Sequence, residues 1–283
     1  SVVYCLFRGS ATSGIPRGPS SVELNTILMR STFKIAGGDT LGTAFLVGRP
    51  TPDVPNKQFY VLVTAAHVLS EIKGDKAVLF LRQRQGEDFV KLEHPIQIRR
   101  KGKALWTQHP EVDVAVMYVG LPEEADVQLL PMSFLVTDRH LVELEIHPGD
   151  TLSCLGFPFG AEANEAGFPI LRSGQIASYP LTPTAKVKSF LFDFRVFGGN
   201  SGGPVYFTQV SRTYGGSTRL GQTLQFVAGL VSQQRFVEEE IHSLSETRRA
   251  KHPLSLAVVI HADLIRETIE SLPAKPTPIV SSS

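Results

Sequence analysis

The chain has 283 residues, with 28 lysines and arginines against 27 aspartates and glutamates, for a formal net charge of +1. That balance removes any general electrostatic drive toward nucleic acid or an anionic membrane, and 42% hydrophobic residues exclude disorder throughout. Two cysteines, Cys5 and Cys154, cannot build a disulfide framework, and the longest nearly apolar run, Phe59 to Leu69, is far short of the roughly 20 residues that a membrane helix needs.

Residues 1–21 pass from a short apolar piece into a Gly, Ser and Pro stretch and read as a flexible arm. The chain starts at Ser1; if a leader has been removed, the expected compartment is secreted or periplasmic. Residues 22–130 form the first β unit, with short β-branched segments at Thr43 to Val47, Phe59 to Thr64, Ala77 to Leu81 and Val112 to Val119, and one helical turn at Ala65 to Leu69. Residues 131–150, which hold Asp138, His140, His147, Pro148 and Gly149, are less strand-like and read as a linker. Residues 151–272 repeat the β pattern at Thr151 to Leu155, Val187 to Phe194, Leu224 to Val231 and Leu256 to Ile260. They end in a helix over Ala262 to Leu272, with Leu264, Ile265, Ile269 and Leu272 on one face. Residues 273–283, with three prolines and a serine end, read as a disordered tail. The fold class is all-β, a sandwich or barrel architecture.

No CxxC, HExxH, P-loop or GxGxxG string occurs, so no metal or cofactor is expected. The informative segment is VFGGNSGGPV, Val196 to Val205, where Ser201 is flanked by glycines on both sides. A serine hydroxyl becomes a nucleophile only when a base takes its proton and donors await the oxyanion, and glycines let backbone amides approach closely. The Gly199 and Ser201 amides are the candidate oxyanion donors. The base candidate is His67, in TAAH directly after an apolar strand. Its partner must be a shielded carboxylate; Asp113, in the alternating segment EVDVAVMYV, fits better than Asp39, Asp75 or Asp88, which sit in glycine-bearing or charged turns.

The order His67, Asp113, Ser201 and the strings GTAFLV, TAAH, DVAV and GNSGGP resemble the trypsin-like, or chymotrypsin-fold, serine peptidases. LSCLGFPFG, SGQIAS and LAVVIHADLIRETI are similar to stretches of the bacterial Deg/HtrA-type proteases, over about Leu24 to Leu272. The resemblance implies two packed antiparallel six-stranded β-barrels with a C-terminal helix, His67 and Asp113 from the first and Ser201 from the second. It implies a serine endopeptidase acting on polypeptide through a Ser-His-Asp triad and an acyl-enzyme, without a cofactor. The alternative is a catalytically silent peptide-binding or scaffold protein on the same fold. An α/β-hydrolase esterase fails on residue order, since its histidine follows the nucleophile.

Three departures from the family pattern stand out. Asn200 replaces the aspartate that pairs with a freshly cut amino terminus in many animal relatives, Val68 replaces a disulfide cysteine, and the PDZ domain usual after the protease in Deg/HtrA proteins is not expected in the eleven residues that follow Leu272. The resemblance also points to Arg195, six before the serine, near the base of the pocket for the side chain preceding the scissile bond, where a guanidinium favours an acidic residue. Phe194, Phe197, Gln233 and Gln234 would line or partly fill that pocket. Leu230 and Ser232, in the GLVS string, would lie along the substrate backbone, with Ser232 near the buried aspartate. The other histidines have no metal-like spacing; Glu238 to Glu240 and Arg248 to Lys251 read as a solvated loop; Cys154 reads as a buried apolar residue.

Overall fold

In chain order, β1 (Cys5–Leu6) precedes α1 (Leu24–Ser31), β2 (Thr32–Gly37), β3 (Thr40–Pro50), β4 (Lys57–Thr64), α2 (Ala66–Glu71), β5 (Lys76–Gln85) and β6 (Asp88–Gln97) in the computed structural model. Short strands β7 (Arg99–Arg100), β8 (Lys103–Ala104) and β9 (Thr107–Gln108) lead to β10 (Ala115–Tyr118) and β11 (Leu130–Pro131). The structure describes residues 5–6, 23–54, 57–242 and 247–276, so most of the expected arm and tail lies outside the described residues.

The first half is mostly β, as the fold class expects. Its strands form one nine-stranded sheet in the order β6-β5-β2-β3-β4-β10-β9, with β1 added to β4 and β11 to β3, while β7 and β8 pair separately. β3 is buried from Gly42 to Gly48 without alternation, because α1, α2 and β11 pack on it as well as its neighbouring strands. Helix α1 is absent from the sequence reading. Leu24, Ile27, Leu28 and Ser31 give it one buried face, but at 8 residues it is too short for its period to stand out.

The expected linker is ordered. After β11, a 3-10 turn (Met132–Phe134) leads into α3 (Asp138–Glu143), whose first turn is closed by a reciprocal Thr137 and His140 capping box. Leu141 and Leu144 are buried, so this connection packs as part of the core.

β12 (Thr151–Gly156), β13 (Ile170–Ile176), β14 (Ser189–Asp193), β15 (Pro204–Tyr214), β16 (Ser217–His242) and β17 (Thr247–His261) complete the strands, and α4 (Ala262–Glu270) follows. They close a barrel in the order β12-β13-β14-β17-β16-β15. β16 and β17 then run on together beyond it, so Glu238 to Glu240 and Arg248 to Lys251 are not a loop. In this antiparallel ribbon the backbone of Glu238 pairs with that of Lys251 and the backbone of Glu240 with that of Arg249. At the other end of this half, Pro273 is held rather than loose: its carbonyl accepts from Arg49 Nη1 at 2.9 Å and from Tyr118 Oη at 2.6 Å. The buried apolar side chains of both halves form one contiguous cluster, from Leu24 to Leu272.

Candidate active site

β4 ends at Thr64, and the chain turns through Ala65 into α2, which places His67 in the first helical turn. Amides there have no intrahelical acceptor. Asp113, in the bend before β10, supplies one: its Oδ1 accepts from the His67 amide at 2.9 Å, while its Oδ2 lies 2.7 Å from His67 Nδ1. The Ser232 hydroxyl donates to the same Oδ2 at 2.6 Å. An ionised carboxylate can only accept, so Nδ1 carries the proton and Nε2 keeps a free lone pair.

The electrostatics follow from these contacts. Burial pushes the Asp113 carboxyl upward, but hydrogen bonds from His67 and Ser232 and the charge of His67 outweigh it and hold the pKa below its ordinary value. Burial pulls His67 downward, but the hydrogen bond and charge of Asp113, with the charge of Glu71, leave its pKa raised above 6.5.

Ser201 lies in the turn that enters β15. The Asn200 amide donates to the Phe197 carbonyl at 3.1 Å, closing a four-residue turn whose third residue, Gly199, has φ +94. Positive φ at that place marks a type II turn and calls for glycine; a Cβ would also strike the Phe157 carbonyl. The Gly198 carbonyl accepts from the Phe159 amide at 2.6 Å. Because the peptide is trans, the Gly199 N–H points the opposite way. Neither the Gly199 amide nor the Ser201 amide has a partner among the described residues.

The first half grips this turn through Thr43, in β3. Its amide donates to the Ser201 carbonyl at 2.8 Å and its hydroxyl to the Gly199 carbonyl at 2.6 Å. Gly202, with φ +87, fits against the same joint; a Cβ would collide with the Thr43 carbonyl and Thr64 Oγ1. Sequence reasoning missed the role of Thr43, which the structure shows fully buried within an otherwise apolar run.

The Ser201 hydroxyl donates to the Ser232 carbonyl at 2.9 Å and makes no hydrogen bond to His67. Ser232 thus links the two groups, with Oγ on Asp113 and the carbonyl on Ser201.

The expected pocket residues divide. Leu230 is fully buried and paired with Pro204 and Ile260, so its side chain belongs to the barrel core. Gln233 is exposed and Gln234 half-buried beside the site. Arg195 does not form an enclosed base: it is exposed and its guanidinium lies over the Phe197 ring, 5.1 Å from the centroid. Arg172, on β13, was not singled out from the sequence. Its guanidinium lies over Phe194 at 4.2 Å and Phe197 at 5.2 Å, and it donates to the Arg195 carbonyl at 2.8 Å. Phe159, 77% exposed, packs its ring 5.1 Å from Phe197. This cluster braces the segment whose Phe197 carbonyl closes the Gly199 turn.

Asn200 is buried, with its Oδ1 facing Gly156 and its Nδ2 unpartnered. Cys154 is buried, and burial pushes its thiol up to about 12, so it is an inert packing residue. Among the described residues, no group of three His, Cys, Asp or Glu side chains could hold a metal ion, and no helix is long and apolar enough to cross a membrane.

Among solved structures, the chain is similar to an inactive serine-to-alanine mutant of Rv3671c from M. tuberculosis H37Rv, with 16% identity over 98% of this chain and 100% of that one and a TM-score of 0.46. Human heparin binding protein matches with 12% identity over 88% and 94%, TM-score 0.48. The protease Anisep from Arthrobacter nicotinovorans matches with 14% identity over 86% and 94%, TM-score 0.45. No curated protein matches the chain. The trypsin-like peptidase domain matches residues 42–210, which include Thr43, His67, Asp113 and Ser201 and make up more than half of the sequence. The chain therefore belongs to the trypsin-like peptidase domain family.

Proposed function

We propose that this protein is a serine endopeptidase of the Deg/HtrA-like kind, in which Ser201 is the nucleophile, His67 the general base and Asp113 its orienting carboxylate. The observation that carries the reading is the pair of contacts from Asp113 to His67, 2.9 Å to the amide and 2.7 Å to Nδ1, together with the two unpartnered amides at Gly199 and Ser201. His67 Nε2 takes the Ser201 proton as Oγ attacks the peptide carbonyl. The Gly199 and Ser201 amides receive the oxyanion, and His67 returns the proton to the leaving amine. Water, activated by the same imidazole, then releases the acyl group from Ser201.

The parking of the Ser201 hydroxyl on the Ser232 carbonyl fits this scheme. A substrate main-chain N–H that takes over that carbonyl frees the hydroxyl to turn toward His67, so binding and activation are coupled; such catalytic hydrogen bonds commonly tighten only with substrate bound. Arg195 and Arg172 give the rim positive charge, which favours an acidic side chain near the scissile bond. A cleavage profile over a peptide library checks that preference; dominant cutting after Lys, Arg or large aromatics contradicts it.

A second reading, a peptide-binding protein without turnover, draws on the same resting contact between Ser201 and Ser232. Hydrolysis of an unstructured protein substrate separates the two. The peptidase reading expects cleavage, with turnover lost on the order of a million-fold in Ser201→Ala; binding without cleavage favours the second reading.

A further inference from the structure

β15 leaves β16 at the active site. Pairing between them ends at Pro204 opposite Leu230, with one further exchange in which Val231 donates to the Gly203 carbonyl at 2.9 Å and accepts from the Gly202 amide at 2.7 Å. From there β16 pairs only with β17, and among the described residues no strand covers its other edge. The register shifts between Val231 and Gln233 and again between Gln234 and Phe236 mark bulges, which re-aim a strand and occur next to active sites. The open edge thus begins at Ser232, whose carbonyl holds the nucleophile, and continues outward along the ribbon. From Gln233 to Glu239 it runs for roughly 20 Å at about 3.3 Å per residue.

We propose that this ribbon edge, beyond Gln234, is a binding site for the part of an extended polypeptide substrate that lies N-terminal to the scissile bond. The substrate adds to β16 as an antiparallel strand held through its main chain. The inference rests on the peptidase reading and deepens it: the ribbon selects substrates with a long extended segment before the cleavage point, reaching past the residues that lie beside Ser232. Main-chain pairing supplies affinity with little demand on side chains. Phe236 and Val237, 47% and 48% exposed, offer apolar contact on the two faces of the added strand. The occupant is a transient peptide rather than a second copy, because Arg235 and Glu239 are exposed charges of the kind that discourages permanent edge-to-edge association.

The test uses the full chain and fluorogenic peptides sharing one cleavage sequence, with about four or about ten residues before the scissile bond. The long peptide is expected to have a kcat/KM at least about tenfold higher. N-methylation of its distal backbone amides should abolish the gain in the unaltered protein. Replacing residues 237–252 with Asn-Gly, which shortens the ribbon to the Phe236 and Pro253 pair, should bring the long-to-short ratio close to one. Labelling of Ser201 by a fluorophosphonate reports that the shortened chain is folded; if it is not, the N-methyl series decides alone. Equal rates for both lengths, with Ser201 labelled, overturn the ribbon site and leave the peptidase reading standing. So does a ribbon-dependent dimer in light scattering without a length effect. No hydrolysis of either peptide together with no labelling overturns both.

Discussion

At the residue scale, the site depends on one carboxylate serving three donors. Asp113 accepts from the His67 amide, from His67 Nδ1 and from Ser232 Oγ, so the imidazole is fixed in position, tautomer and charge by a single group. The pH consequence has a definite sign. In the proposed peptidase the base is neutral His67, and because its pKa is raised the acid limb of kcat/KM is expected on the alkaline side of an ordinary histidine. Asp113→Asn removes the hydrogen bond and charge that raise it and leaves burial, which lowers it. The limb should then move to lower pH, while kcat falls by about 10⁴-fold because the amide supports the wrong tautomer. A pH–rate profile of both proteins checks this, and an acid limb that stays in place contradicts it. Stability runs in two windows. The raised His67 contributes stability that is full below its unfolded pKa and is lost as pH rises through its folded one. The depressed Asp113 contributes stability that is present above its unfolded pKa and is lost as pH falls through its folded one.

At the scale of elements, the Gly199 turn is held from three sides: Thr43 from β3, the Phe159 amide, and Arg172 from β13 through the segment Phe194 to Phe197. In the proposed peptidase Arg172 acts as a positioning residue. Arg172→Met is expected to lower kcat about tenfold, a loss of about 1.4 kcal/mol of transition-state stabilisation, with KM for short peptides little changed. Arg172→Lys should not restore it, because an ammonium has no planar face to lie over Phe194 and Phe197. A change confined to KM, or full rescue by lysine, contradicts the role. This scale also separates what the sequence made legible from what it did not. His67, Asp113 and Ser201 each stand in a short local pattern, and the structure places them at the joint of the two halves. Arg172 and Thr43 act through contacts with residues far along the chain, and no local period reports those. The ribbon was misread because Glu238 to Glu240 and Arg248 to Lys251 look like solvated loop when charge is read without register. Helices α1 and α3 were missed because they are short, and the exposed position of Arg195 over Phe197 was not legible because loop course decides where a side chain points.

At the scale of the whole molecule, Arg82 joins segments that are far apart along the chain. It is fully buried, its guanidinium lies 4.4 Å from the ring centroids of both Phe33 and Phe168, and it donates to the carbonyls of Met29, Thr32 and Gly167. These belong to the end of α1, the start of β2 and the loop that follows the Phe157 to Gly160 segment. Burial pulls its pKa down to about 9, so it remains charged at neutral pH. The same loop is tied to the first half by Glu162, which pairs with both Lys34 and Lys91. Arg82→Met should therefore cost about 3–5 kcal/mol, because it leaves three carbonyls, two of them in buried contacts, without this donor. Denaturant unfolding measures this, and a midpoint within about 0.5 kcal/mol of the unaltered protein contradicts it.

The central claim, that these two halves assemble a working nucleophile at Ser201, meets its most direct test in covalent labelling by a fluorophosphonate with the adduct located by peptide mass. An adduct on Ser201 is expected that is absent from Ser201→Ala and forms faster as pH rises through the His67 pKa. A folded protein that leaves Ser201 unmodified across that range contradicts it.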